Sequence, residues 1–542
     1  MRVLTIFGGG HDSSATFVVD GKVERYLKEE RYTGVKHDTS HNAIIDTIIN
    51  NNLLGNVDYI MPVNQLDSTD AIKLNNILQS FAPEAKIFNP LNEHHLFHAS
   101  NSFYNSGFEE SLVIVIDASG AQFSKKYSKT YECDSVYLAT YPNKFKKLYK
   151  GYATDREFKG RDVKKIVNYC EYQIRDITSG WANIGNLYNS AALAMGQTLQ
   201  DCGKAMGLSS YGKPIPKINL SGFDVQKNIS EYFNDNLQCL SVLYGDQDRY
   251  HLDITENNYQ KYADYCYEVQ QECMNQVIDL VRKYTRKTGV KKVCLSGGYA
   301  MNIVTNYELT QKFPEIEFFF EPLCNDGGIS VGAAMYIYRT VSKDKTIHPI
   351  ETTSYHGVDH DITSYTGVTV DTKEVVDLLY QNKSVAVFYG QAEAGERALG
   401  NRSILFNALN PDARDIVNKI KKREWYRPFA AMVLEEDAHL YFENSMPSRF
   451  MTLSFPVKSD IIPGVTHVDG TCRVQTVASD HMYDILREFK KLTGHGILLN
   501  TSFNLAGQPL VETAEEALKT LNESALDYVW FYETKQLFKS TF

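Results

Sequence analysis

The chain is short of features that would assign it to several classes at once. Its nine cysteines are scattered, odd in number and form no CxxC pair. That excludes a disulfide framework or a thiolate zinc knot as the organising principle and fits reduced thiols in a cytoplasm. No apolar run approaches the roughly 20 residues needed to cross a bilayer. The opening MRVLTIFGGG has one early arginine and reads as a first strand rather than a secretion signal. The expectation is a cytoplasmic protein with no membrane partner. Excess positive charge is missing too: a formal charge of −10 and a pI near 5.8 give no overall electrostatic case for nucleic acid. Neither a low-complexity tract nor an internal sequence repeat is evident. What remains is ordinary globular composition, 43% hydrophobic and 23% charged. Spread over 542 residues, it is too long for one core, and two or three domains are expected.

The first forty residues read as strands, RVLTIFGGG and SATFVVDGKVERYLKEER, with Asp20-Gly21 at a bend. Two later segments run strand, glycine turn, helix: KKVCLSGGYAMNIVTNYELTQKF, with Gly297 and Gly298, and EFFFEPLCNDGGISVGAAMYIY, with Asp326-Gly327-Gly328. Such helix N-termini can cradle phosphate through backbone N–H groups, although a lone glycine turn is usually only a chain reversal. Two of them behind a β-hairpin suggest a nucleotide cleft of the actin, Hsp70 and sugar-kinase type. VSKDKTIHPIETTSYH, 341–356, is polar and aperiodic, so the main boundary is expected there, separating domains at 1–345 and 356–542. Beyond it, strands (SVAVFYG, GILLN) alternate with helices (ARDIVNKIKKR, TAEEALKTLN) as in an α/β domain.

The stretch NEHHLFHASNSFYNSGFEESLVIVIDASG, 92–120, carries a metal pattern. His94 and His98 are four apart and share a face if helical. Asp117 ends an apolar strand, where α/β folds bind ligands, and Asp326 holds a comparable place. Two His with two Asp suit Fe(II), Mn(II) or Zn(II), whereas a polar helix patch is the plainer alternative. His95 would face elsewhere as a bystander.

GGGHDSSA, EERYTGVKHD, HHLFHA, GKAMGLSSYG, LSGGYAMN, RALGNRSIL, REWYRPFA and LLNTSFN occur in an order that resembles the O-carbamoyltransferases of the tobramycin and nodulation-factor type, from about residue 6 to 515. The resemblance implies an actin-like (ASKHA, Kae1-like) N-terminal domain fused to a YrdC-like α/β domain. It also implies ATP and carbamoyl phosphate as substrates, and a carbamoyl-adenylate whose carbamoyl group passes to an acceptor hydroxyl. By position His94, His98, Asp117 and Asp326 match that family's iron ligands, and Lys36 a residue lining the adenylate site. Lys421, Arg427, Arg473, Asn500 and Ser502 match its carbamoyl-phosphate pocket, and Arg397 and Arg402 residues near the phosphates. Several arginines and a lysine are what binds a dianion in register. His11, after three glycines, would be the neutral imidazole that takes the acceptor's proton. The chain departs from the family's pattern at Glu396, at Cys202 and in DASGA (117–121) after the strand, the last beside a metal candidate.

Between Asp117 and NIGNLYNSAA the chain is longer than its look-alikes, with extra length expected at about 121–180. Here KFKKLYKGYATDREFKGRDVKK, 144–165, carries +6 net with Phe145, Tyr149, Tyr152 and Phe158 interleaved. That composition suits a nucleic-acid groove, or simply a solvated surface loop. The acceptor is thus expected to be a hydroxyl-bearing molecule, with a hydroxymethylated base in DNA reached through 144–165 as one candidate and a sugar or antibiotic hydroxyl as another. A homodimer is a further expectation. The competing classes are a threonylcarbamoyl-type tRNA enzyme and a non-catalytic nucleotide-binding scaffold.

Overall fold

The computed structural model describes residues 1–8, 11–64, 68–88, 93–121, 130–154, 171–176, 183–216, 218–221, 225–233, 254–347, 360–458 and 460–541. The chain divides into two compact units. Met1–Glu24, Thr39–His41 and Ile45–Ile350 form the first; Arg25–Asp38, Asn42–Ile44 and Glu351–Phe542 form the second. The expected boundary, 341–356, lies outside the described residues from 348 onward. A short N-terminal piece that grouping by sequence would leave in the first unit therefore belongs with the second.

β1 (Arg2–Gly8), β2 (Ser14–Val19), β3 (Lys22–Lys28, grouped with the first unit as far as Glu24), β4 (Tyr59–Asn64) and β5 (Lys86–Ile87) form a sheet ordered β3-β2-β1-β4-β5. A second sheet contains β6 (Glu110–Ile116), β7 (Thr130–Thr140), β8 (Lys144–Thr154), β9 (Glu171–Asp176), β10 (Lys292–Ser296) and β11 (Glu317–Phe320), ordered β11-β10-β6-β7-β8-β9. With β9 set aside the second order repeats the first. β1 is antiparallel to β2 and parallel to β4, as β6 is antiparallel to β7 and parallel to β10. This duplicated order is the actin-like α/β architecture. The repeat lies in strand order, and so no repeat of residues shows in the sequence. The expected bend is there: Asp20 and Gly21 both have positive φ, 47° and 80°, as a two-residue hairpin turn needs.

Central strands flanked on both sides read as unbroken apolar runs. Leu112, Val113, Ile114 and Val115 of β6 are fully buried. The His94–Ser106 helix is buried along its whole length although it is rich in polar residues. It tolerates this because its polar groups find partners. Ser100 Oγ donates to Leu96 O (2.8 Å), Asn101 Nδ2 to Leu323 O (2.9 Å), and Asn105 Nδ2 to Asn101 Oδ1 (2.9 Å) and Glu321 Oε2 (3.1 Å). Its neighbour, the Ile329–Ser342 helix, presents Gly332 at the crossing. A Cβ there would stand 1.9 Å from Phe97 O, so only glycine permits this approach.

The basic stretch 144–165 is corrected in its first half. Residues 144–154 are strand β8, not a loop, and 155–165, with Phe158, lie outside the described residues. Tyr149 and Tyr152 are buried, and Phe145 packs edge-on against Phe103 and Tyr104, so these rings are spent on the core rather than offered to bases. Lys150 is buried against Glu132, and Lys147 pairs with Glu93 at 2.6 Å.

The second unit is α/β, as expected. A mixed nine-stranded sheet runs β12 (Val368–Thr369), β20 (Gln536–Lys539), β19 (Tyr528–Phe531), β13 (Val385–Phe388), β14 (Arg402–Phe406), β18 (Ile497–Ser502), β15 (Ala430–Leu434), β17 (Thr471–Val477), β16 (Leu453–Pro456). Period-two alternation sends Val385 and Val387 to one core with Met482, Leu486 and Phe489 of the His481–Thr493 helix. Ala386 and Phe388 go to the opposite core with Ala514, Ala517 and Leu521 of the Ala514–Asn522 helix.

Candidate functional site

In the first unit the four metal candidates converge. His94 and His98 stack one turn apart, with their Nε2 atoms 3.1 Å from each other. His94 Nε2 is 3.2 Å from Asp117 Oδ2 and 3.4 Å from Asp326 Oδ1; the corresponding His98 distances are 3.6 and 3.4 Å. One ligand atom from each of the four lies within 4.8 Å of all the others. Asp117 follows β6, its N–H bound to Cys133 O at 2.8 Å. Asp326 opens the turn before the Ile329–Ser342 helix. Burial opposes charge on His94, yet Asp326 and Asp117 outweigh it and push its pKa up to about 10. Burial would likewise raise Asp326, but His94 and His11 bring it down to about 2. The four side chains thus form a mutually compensated, largely buried donor set.

His11 joins the cluster from the rim. Its ring is 42% exposed, its Nδ1 sits 2.7 Å from Asp12 Oδ2, and its Nε2 is 3.9 Å from Asp326 Oδ2. The neutral imidazole expected from the sequence is not what these neighbours favour. Desolvation works against the cation, but Asp326 and then Asp12 push the pKa up to about 10.

Gly297 follows β10 with φ 84°, and a Cβ on it would lie 2.2 Å from Ile116 O. Its glycine character follows from the close passage of β6. Gly298 opens a four-residue 3-10 turn, and a Cβ there would be 3.7 Å from Asp117 Oδ1. The two glycines therefore line the approach to Asp117.

His95, the expected bystander, is fully buried and faces away from the ligand set, with Nδ1 2.7 Å from Ser135 Oγ. Of the departures, Ala121 pairs through its main chain with Glu132 (Glu132 N to Ala121 O, 3.0 Å), and Glu396 holds an ion pair with Lys28 at 2.6 Å within the second unit.

The second unit gathers cations. Arg473 on β17 and Asn500 on β18 both stand level with Ala430 of β15, so they share one row of the sheet. Lys421, at the end of the Ala413–Lys421 helix, reaches the next strand end. Its Nζ donates to Ser502 O, to Ser502 Oγ (3.2 Å) and to Asn504 Oδ1 (2.8 Å). Burial, then Arg423, Arg427 and Lys36, press the Lys421 pKa well below that of an ordinary amine. Burial, then Arg397, lower Arg473 in the same way, with Arg427 contributing. Lys36, Arg397, Lys421, Arg427 and Arg473 are thus close enough to feel one another, and Asn500 and Ser502 border them. Asn500 donates to Ala398 O and Gln475 Oε1, while its buried Oδ1 has no hydrogen-bond partner among the described residues.

Two assignments change. Arg402 does not face this pocket as a spare cation. It is fully buried, stacks 3.5 Å over Phe388, and donates to the carbonyls of Tyr389, Gly390, Asn401 and Glu512, so it ties strands and loops together. Arg423, which the sequence reading passes over, is in the cluster. Its guanidinium lies 4.1 Å over Phe429, and burial, Arg427 and Arg473 lower its pKa. The signal was present in KKREWYRP, but only the fold distinguishes a cation turned inward from one in solvent.

Family models for the carbamoyltransferase N-terminus and C-terminus match residues 80–335 and 376–535, most of the chain. Nodulation protein NolNO of Sinorhizobium fredii is 27% identical, over 95% of this chain and 77% of that protein. NolO of Bradyrhizobium diazoefficiens is 27% identical over 80% and 76%. An uncharacterized protein of Methanocaldococcus jannaschii is 28% identical over 93% and 84%. Among solved structures, full-length HypF in a phosphate- and nucleotide-bound form matches at 14% identity and a TM-score of 0.33 (62% of this chain, 56% of that one), too slight a likeness to bear on function. Both halves of the family pattern are present, in order, on one chain: the protein belongs to the carbamoyltransferase family and is a carbamoyl-transferring enzyme.

Proposed function

We propose that the enzyme is an ATP-dependent O-carbamoyltransferase that takes its carbamoyl group from carbamoyl phosphate through a carbamoyl-adenylate. The observation that supports this best is the gathering of Lys421, Arg423, Arg427 and Arg473 beside neutral amide and hydroxyl groups, where Lys421, Arg423 and Arg473 each have their charged form disfavoured by burial and by neighbouring cations. A dianion relieves that repulsion, and the lone acceptor Asn500 Oδ1 suits a carbamoyl NH2. The balanced sequence has three parts. Water cleaves carbamoyl phosphate to carbamate and phosphate. Carbamate oxygen attacks the α-phosphorus of ATP and expels pyrophosphate. The acceptor oxygen then attacks the carbamoyl carbon, AMP leaves, and the hydroxyl proton is taken up by a base.

Two imidazole nitrogens and two carboxylate oxygens converging in a buried space fit a resident Fe(II), Mn(II) or Zn(II) ion, held by His94, His98, Asp117 and Asp326. When bound, such an ion would supply Lewis acidity toward phosphoryl or carbonyl oxygen. Among the chain's own groups, Asp12 lies 2.7 Å from His11 Nδ1 and orients the ring. Because Asp326 and Asp12 favour the charged ring, His11 would take the acceptor's proton at Nε2 only with a cation held beside Asp326 to offset that carboxylate. Lys421, Arg427 and Arg473 orient the phosphate.

The acceptor we favour is a small hydroxylated molecule. Two relatives are nodulation proteins by name, and the aromatic rings of β8 are packed inward. Labelled carbamoyl phosphate, ATP and Fe(II) offered with sugars, aminoglycosides and hydroxymethylated DNA decide it. Label in a small molecule supports the proposal. Label in DNA alone overturns the choice of acceptor, and no ATP turnover with carbamoyl phosphate overturns the chemistry. His11→Asn should leave adenylate formation intact and abolish transfer; equal loss of both steps would remove His11 from the proton-transfer role.

A further inference from the structure

Between the metal candidates and the outer strands lies a buried polar cluster that the chemistry above leaves unused: Glu132 and Ser135 on β7, Lys150 on β8 and His95 on the metal-bearing helix. That helix begins without a side-chain cap of its own. Its first residue after the cap is His94, the capping Glu93 makes no side-chain bond to the first turn, and Glu93 instead pairs with Lys147. The first-turn N–H groups of a helix have no partner within it, and a buried one left unsatisfied is expensive. Here Glu132 Oε2 accepts the His95 N–H at 3.2 Å from a different strand, while Glu132 Oε1 is paired with Lys150. Ser135 Oγ, three residues along the same strand, meets His95 Nδ1 at 2.7 Å. The same segment of β7 also receives the Asp117 N–H at Cys133 O and the Gly120 N–H at Glu132 O. Gly120 is pressed so near that a Cβ would stand 2.7 Å from the His95 ring and 3.1 Å from His94 Cδ2.

We infer that Glu132, neutralised by Lys150, is a positioning residue that caps the helix of His94 and His98 from outside and so sets the metal-ligand geometry. His95 is then the fixture rather than a spare ligand. Its main chain is held by Glu132 and its ring by Ser135, which leaves His94 and His98 one allowed rotation about the helix axis. The DASGA sequence fits this device, since the small residues after Asp117 let β7 lie against the first turn of the helix. The inference rests on the four-residue metal reading.

The test compares two double variants that both remove the buried charge pair and so avoid stranding one ion. Glu132→Gln with Lys150→Met keeps an oxygen that can accept the His95 N–H, whereas Glu132→Leu with Lys150→Met does not. Co(II) affinity and the Co(II) visible spectrum are read on the full chain, with His98→Ala as the control for the site. Loss of an outer-shell partner should weaken Co(II) binding on the order of 10- to 100-fold and alter the spectrum in the Leu variant, with the Gln variant within about threefold of wild type. Ser135→Ala, a smaller change that should fold in any case, should shift the spectrum as well. Wild-type affinity and spectrum in the Leu variant, or in Ser135→Ala should the Leu variant not fold, would overturn the inference while leaving the metal reading standing. Co(II) binding unaffected by His98→Ala would overturn the metal reading first, and this inference with it.

Discussion

Replacing Arg473 by Met should make the ligand-free enzyme more stable and the liganded one less responsive. In the second unit Arg473 is crowded by Arg397 and Arg427, and burial with these neighbours holds its pKa well below that of a free guanidinium. Its Nε has no hydrogen-bond partner among the described residues. Two like unit charges about 4 Å apart at an effective dielectric near 20 repel by roughly 4 kcal/mol, and the repulsion falls as the inverse of their separation. Some of that relief is offset by lost contacts, which leaves an expected gain of about 1–2 kcal/mol, at the low end of what replacing buried charged groups by apolar ones can yield. For a unit of this size the gain corresponds to a rise of about 2–8 °C in Tm. Phosphate reverses the ranking. At a concentration near 100 times Kd, the wild type gains about 2.7 kcal/mol from the ligand. Loss of a charged hydrogen bond, about 1.5–3 kcal/mol, weakens Kd by roughly ten- to a hundredfold. The variant would then gain only about 0.4–1.4 kcal/mol at the same concentration. Scanning calorimetry with and without inorganic phosphate, repeated with carbamoyl phosphate, reads both numbers. A variant that melts lower than wild type without phosphate yet keeps the full phosphate shift would refute the idea of a strained anion pocket.

Three further outcomes follow from the same geometry. Chelation should lower the Tm of wild type by several degrees and leave His98→Ala unmoved; equal shifts in both would place the stabilising ion elsewhere. Gly297→Ala, whose Cβ would sit 2.2 Å from Ile116 O at a φ of 84°, should destabilise by about 3 kcal/mol or more, read by denaturant unfolding. A loss below about 0.5 kcal/mol would mean that β6 can shift. Burial alone would raise the Glu132 pKa, but Lys150 chiefly draws it down to about 2. A lowered carboxylate pKa adds stability that is present above about 4.5 and lost as pH falls toward 2. The Glu132→Gln, Lys150→Met variant should therefore show a flatter acid limb of Tm against pH than wild type, and parallel limbs would argue against the coupling.

How legible each part was depended on the kind of signal. His94, His98 and Asp117 could be read because helix spacing and a strand end are local properties. Asp326 is more than two hundred residues away and beyond the end of β11 at Phe320, yet the Asp-Gly-Gly turn that opens the next helix announces it too. The duplicated sheet order could not be read, because it resides in the pairing of strands and not in repeated residues. Arg402 misled for a physical reason. A cation between glycine and apolar residues looks the same in sequence whether it meets a phosphate or, as here, four backbone carbonyls. Lys150 and Tyr152 looked like an exposed basic, aromatic face, since nothing in the local sequence reveals that Glu132 lies across the strand to neutralise the lysine. The attachment of residues 25–38 to the second unit is a long-range fact of the same kind.

The most direct test of the central claim is exchange of labelled pyrophosphate into ATP by the purified, Fe(II)-loaded enzyme. The adenylate route predicts exchange that appears only when carbamoyl phosphate is present, needs no acceptor, and disappears in Arg427→Ala. Exchange indifferent to carbamoyl phosphate, or ATP consumed to ADP without exchange, would contradict it.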